Sequence, residues 1–149
     1  CMKNISKKVL ILLIIIAFCD IKTSQQTTSN EPTYLPISEQ QQTKIKEYLR
    51  ENKVVLIAVE ADWCITCKIN DLITLNNFKF QNLVEKGDLI LLISNQTEYQ
   101  EETLKFMEKY GRKSLPFYLL YTPKIQNGIV LPELLNEANL YQMIIDGRY

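Results

Sequence analysis

The chain has 149 residues, 46% of them hydrophobic and 23% charged, with 17 basic and 17 acidic side chains and no histidine. These values fit an ordinary α/β protein, and a net charge of zero leaves no electrostatic footprint for nucleic acid. Without histidine, Ser-His and Cys-His catalysis and every histidine-ligated metal site are excluded.

Lys3, Lys7 and Lys8 precede the apolar run Val9 to Phe18. A spanning helix needs about 20 apolar residues, so this shorter run reads as the core of an export signal over residues 1–19. Three fates are open for it: cleavage after Ala17-Phe18-Cys19, lipidation of Cys19 at a lipobox-like Ile16-Ala17-Phe18-Cys19, or retention as a signal anchor. Residues 20–36 are polar and rich in Ser, Thr and Gln, the composition of a flexible tether. Residues 37–149 are left for one domain with one core.

Ser38 with Gln41 opens a capping box, and Ile45, Tyr48 and Leu49 recur at helical spacing, which predicts a helix over 39–51. Lys53 to Val59 is a β-branched apolar run suited to a strand buried on both faces. From Cys64 the period turns helical, with Cys67, Leu72 and Leu75 expected on one side. A short helix over Phe78 to Lys86, stopped by Gly87, precedes a second buried strand, Asp88 to Ser94. Thr97 with Gln100 is expected to cap the next helix, striped by Leu104, Met107 and Tyr110 and closed by Gly111. Pro116 opens the strand Phe117 to Tyr121, where Tyr118 and Tyr121 read as core residues with no further role. A turn leads to a short strand, Ile129 to Leu131, and a last helix after Asn136 turns Leu140, Met143 and Ile144 inward. Two strands joined by helical crossovers, then a hairpin, give an α/β fold: a central mixed sheet flanked by helices on both faces, which is thioredoxin topology, with another small α/β sandwich left open by periodicity alone.

The chemistry concentrates in Ala61-Asp62-Trp63-Cys64-Ile65-Thr66-Cys67-Lys68. Zinc needs four ligands, and this chain offers no histidine and no second Cys-x-x-Cys. A purely structural disulfide is disfavoured because so small a loop gains little entropy on closure. The pair follows a buried strand and opens a helix, where free backbone N–H groups and the helix dipole favour a thiolate at Cys64. Lys68 adds positive charge nearby. Cys64 is therefore read as the attacking sulfur and Cys67, one turn on, as the resolving one. No cofactor beyond this pair is expected. The bond from Leu115 to Pro116 can be cis or trans on pattern alone. With Cys-x-x-Cys upstream, cis is expected.

ADWCITCKIND, followed by YGRKSLPFYLLYTPK and GIVLPELLNE, resembles the carboxy-terminal periplasmic domain of the DsbD family of thiol:disulfide interchange proteins, over roughly residues 40–147. The resemblance implies a thioredoxin-like domain that takes electrons from a membrane thiol donor and passes them to periplasmic protein disulfides. By position, Cys64 and Cys67 match the redox pair, Trp63 the residue packed beside it, Pro116 the cis-proline and Asp71 an acidic position near the pair. Two departures stand out. Ala58 replaces the buried aspartate of many relatives, and Asn95-Gln96-Thr97 replaces a common Asp-x-Thr. Glu60 projects to the same side of its strand as Ala58, so Glu60 or Asp71 is expected to take the proton from Cys67. Each also has a plainer reading as a solvated end of its element.

The expected function is thus an exported protein-disulfide reductase, monomeric, in the periplasm or on the outer face of a bacterial membrane, served by a donor on a separate chain. A net oxidant or isomerase of the same fold, and an adaptor with idle cysteines, are the alternatives.

Overall fold

The computed structural model describes residues 36–148 and the backbone of Thr33 and Tyr34. Residues 1–19, expected to be an export signal, and most of the expected tether lie outside the described residues. In chain order the elements are β1 (Thr33–Tyr34), α1 (Glu39–Arg50), β2 (Val54–Glu60), α2 (Ile65–Asn70), a π-helical turn (Asp71–Leu75), α3 (Phe78–Glu85), β3 (Leu89–Asn95), α4 (Glu101–Glu108), β4 (Phe117–Tyr121), β5 (Ile129–Val130) and α5 (Glu137–Arg148).

The strands form one sheet in the order β1-β3-β2-β4-β5. Its β1, β3 and β2 run parallel, while β4 is antiparallel to β2 and β5 to β4. Central β2 has neighbours on both edges and helices over both faces, so its side chains from Val54 to Val59 are all buried. Alternation splits them between two cores. Val54, Leu56 and Ala58 pack with Phe80 and Leu83 of α3 and Leu140 and Ile144 of α5. Val55, Ile57 and Val59 pack with Ile45 and Leu49 of α1 and Phe106 and Met107 of α4.

The differences from the sequence reading are local. Thr33–Tyr34, placed in the tether, pairs with Leu92 and Ile93 of β3. A two-residue edge strand has no period to read, and the open edge of β3 supplies its pairing. Leu72, expected inward, is 77% exposed, while Thr74 and Leu75 are buried. It lies five positions after Cys67, too far round for one helical face, and the π turn closed by Asn76 N–H to the Asp71 carbonyl (2.8 Å) resets the face beyond it. Thr97 caps no helix. The start of α4 is held instead by Gln96 Oε1, which accepts from Gln100 N–H at 3.0 Å. Tyr110 and Met143 sit at the margins of the cores, half-buried.

Gly147 lies on the buried face of α5, where a Cβ would run into the side chain of Thr122 on the sheet side. Helix propensity alone makes Gly→Ala stabilising by about 1 kcal/mol. Gly147→Ala is expected to destabilise by about 1–3 kcal/mol instead, because the backbone approach leaves no room for a methyl. Urea unfolding of the two proteins measures this, and a more stable variant would contradict the packing described.

Candidate functional site

Glu60 ends β2, and the chain must turn at once to start α2. The turn is held by a small polar staple. Thr97 Oγ1 accepts from Asp62 N–H (2.7 Å), Asn95 Nδ2 donates to Asp62 Oδ1 (2.9 Å), and Asn95 Oδ1 accepts from Thr97 N–H (2.8 Å). Gln96 N–H also donates to the Glu60 carbonyl at 2.7 Å. Asn95-Gln96-Thr97, noted only as a departure from a family pattern, is therefore what fixes the loop before the cysteines. No signal in the sequence paired these residues with Asp62, since the contact crosses between parallel strands 33 to 35 positions apart.

Cys64 stands as the N-cap of α2 and is joined to Cys67 by a disulfide with Cα atoms 5.3 Å apart. Its sulfur accepts from Cys67 N–H at 3.2 Å, placing it on the free donors at the head of the helix. Cys64 is 5% exposed and Cys67 1%. Leu115 packs against both cysteines and Ala61. The Leu115–Pro116 bond is cis, and Pro116 is buried.

Trp63 is 66% exposed rather than packed down. It borders an apolar hollow of about 550 Å³ beside the disulfide, together with Tyr99, Leu104, Met107 and Leu115. On the other side, a polar hollow of about 160 Å³ is lined by Glu60, Asp62, Cys67, Lys68 and Asp71. Neither carboxylate expected near the pair is a solvated end. Burial, then repulsion from Asp71, pushes the Glu60 carboxyl up to about 7 from 4.5, against the Tyr118 hydrogen bond and the Lys68 charge. Burial also raises Asp71, with Glu60 and Lys68 acting the other way. Lys68, itself exposed, thus lies by these two acids as well as by Cys67.

Tyr118, read as a plain core residue, reaches this site too: its hydroxyl donates to Glu60 Oε1 at 3.3 Å. Burial, with the Glu60 charge next, raises its pKa above the ordinary phenol value. Asn70, which drew no attention in the sequence, donates from Nδ2 to the Tyr118 oxygen (3.0 Å) and to the Glu133 carbonyl (2.7 Å), and accepts from Leu135 N–H at Oδ1 (3.0 Å). The remaining alternating tyrosine, Tyr121, pairs its hydroxyl with that of Tyr110 at 2.6 Å on the opposite face of the sheet.

A family model described as Thioredoxin-like matches residues 37–123. The chain belongs to the thioredoxin-like family. No curated protein matches the sequence. Among solved structures, the chain is similar to the C-terminal domain of Neisseria meningitidis DsbD in its oxidised form. The TM-score is 0.61 and the identity 18%, over 77% of this chain and 99% of that one. A mutant thioredoxin from Halobacterium salinarum matches with a TM-score of 0.55 and 21% identity, over 80% of this chain and 93% of that one. At such identities the likeness carries the fold. This thioredoxin-like chain, with its Cys64–Cys67 disulfide at the head of a helix, is thiol:disulfide oxidoreductase-like in architecture.

The raised carboxyl at Glu60 has a consequence for stability. Its folded pKa lies above its unfolded value, so the stability it contributes is complete below about pH 4.5 and lost as pH rises through about 7. Allowing for solvent screening of a partly exposed group, the loss is on the order of 1–2 kcal/mol. Oxidised protein is expected to unfold at lower urea at pH 8 than at pH 5, and Glu60→Gln to flatten that difference. Parallel pH curves for the two proteins would remove Glu60 as the cause.

Proposed function

We propose that this thioredoxin-like chain is an exported protein-disulfide reductase, fed by a membrane thiol donor of DsbD type and acting on periplasmic protein disulfides as a monomer. The observation that carries the reading is the placement of the pair. Cys64 caps a helix at the surface edge of the site, and Cys67 sits behind it against a hollow with two carboxylates of raised proton affinity. The apolar run Val9 to Phe18 supports export, and the tether after it would leave the domain free to turn between donor and acceptor.

In the reduced chain the Cys64 thiolate attacks one sulfur of the acceptor disulfide, and the other sulfur leaves as a thiolate that picks up a proton. Cys67 then gives its proton to the Glu60–Asp71 pair and displaces the second acceptor thiolate from Cys64. Two electrons have passed to the acceptor and the Cys64–Cys67 bond has closed. A donor dithiol reopens it by the same exchange in reverse, returning two electrons, with one proton restored to Cys67 and Cys64 left as the thiolate.

Position suits these roles: Cys64, at the head of α2, meets the partner, and Cys67, inside the first turn, resolves. Trp63 and Leu115 border the apolar hollow beside Cys64, a surface on which an acceptor chain can settle. With Ala58 carrying no acid, the two carboxylates come one from the next position on the same strand face and one from the π turn.

The reduction potential of the Cys64–Cys67 pair tests direction. A value near roughly −270 mV is expected, whereas one near roughly −120 mV would make the chain an oxidant. Cys67→Ala is expected to trap mixed disulfides with exported proteins and with a membrane donor, and capture of neither would leave only an adaptor. The double variant Glu60→Gln, Asp71→Asn is expected to slow resolution of a mixed disulfide at pH 7 by about 10²-fold. An unchanged rate would dismiss the carboxylates as proton acceptors.

A further inference from the structure

The hydrogen bonds behind the site have a forced direction. Asn70 Nδ2 must be the donor end of its amide, because it meets the Glu133 carbonyl, and Oδ1 must be the acceptor, because it meets Leu135 N–H. Its remaining N–H therefore points at the Tyr118 oxygen, which can only accept it. The single proton of Tyr118 is left for Glu60 Oε1.

We propose that Tyr118 is a positioning residue for the resolving step, its hydroxyl proton aimed by Asn70 at one oxygen of Glu60, so that the carboxyl, itself hydrogen-bonded with Asp71, is held in the hollow it shares with Cys67. This rests on the reductase chemistry proposed above and adds the residues that orient its base. The register of the sheet makes the arrangement possible. Tyr118 lies directly across from Ala58, and Glu60 is two positions along the same face. The methyl of Ala58 leaves space for a phenol ring, whose oxygen then reaches toward position 60. Position 58 carries no acid here, and the carboxylate stands two residues nearer the strand end, at Glu60.

The other groups facing Glu60 are Asp71 from the π turn, Lys68 and Cys67 from α2, and Asp62 from the loop; β3 contributes only the uncharged Ile93 and Asn95. A hydrogen bond donated to a carboxylate favours its charged form. Removing the phenol oxygen therefore raises the proton affinity of Glu60, while the charges around it stay in place.

Two readouts on the full chain keep this separate from the reductase reading. The first is the titration of the Glu60 carboxyl carbon by NMR in the oxidised protein, which involves no catalysis. Tyr118→Phe is expected to move that titration to higher pH by about half a unit to one unit, and Asn70→Ala in the same direction by less. An unmoved titration in folded Tyr118→Phe would overturn the proposal; should that variant fail to fold, an unmoved titration in Asn70→Ala overturns it instead. The second is the pH profile for release of an aromatic thiol from its mixed disulfide with Cys64. Its rising limb is expected to follow the same alkaline shift in Tyr118→Phe. The shift should vanish when Tyr118→Phe is combined with Glu60→Gln, because Tyr118 acts through that carboxylate. A shift that survives in the double variant would assign Tyr118 a purely structural part. A moved titration with unmoved kinetics would instead set aside Glu60 as the base and keep the hydrogen-bond arrangement.

Discussion

The antiparallel register of β4 on β2 governs what stands behind the disulfide. It puts Tyr118 across from Ala58 and leaves Glu60, at the end of the strand, beyond the last paired position. Moving that register by one residue would turn Tyr118 toward the opposite core and bring Phe117 or Leu119 to the cysteines. Such a slip is opposed by both cores at once, because β2 and β4 are buried on both faces and every side chain would change sides. The hydrophobic packing therefore enforces the alignment on which the polar site depends.

That polar site is expensive to build. Asn70 is 1% exposed, and a phenol and two carboxyls share its surroundings, so each unmet donor or acceptor would cost about 1–3 kcal/mol. The Asn70 amide meets that demand by bonding β4 and the segment at Glu133 to Leu135 together. Segments far apart in the chain thus converge on one side chain of α2, two positions after Lys68. The same convergence occurs in front of the cysteines, where Asp62 is held by the end of β3. The disulfide sits between two clamps, and neither clamp contains a cysteine.

The two flanks of the disulfide differ in kind. On one side Trp63, Tyr99, Leu104, Met107 and Leu115 form an apolar hollow open to solvent. On the other, the small hollow with Glu60, Asp71 and Lys68 handles charge. A pair of carboxyls kept close in a partly buried site cannot both ionise freely, which is how acids are brought to titrate near neutrality. Here that pressure falls most on Glu60 because it is the more buried of the two.

Much of this was readable along the chain. The run from Val54 to Val59 has a composition that only a doubly covered strand tolerates, and Cys64 at a strand-to-helix junction carries its chemistry in its position. Cysteine spacing, the proline at 116 and the carboxylates at 60 and 71 are local facts, so sequence sufficed to nominate them. It did not tell a solvated Glu60 from a buried one, since burial is set by helices packed from elsewhere. Nor did it reach Tyr118, Asn70 or the Asp62 staple. Tyr118 has the alternation of any core strand residue, and its hydroxyl acquires a role only when β4 aligns with β2 and α2 lies across both. Period and composition determine which residues are buried. Which polar atoms then meet is decided by contacts between elements 33 to 65 positions apart, and only the tertiary structure sets those.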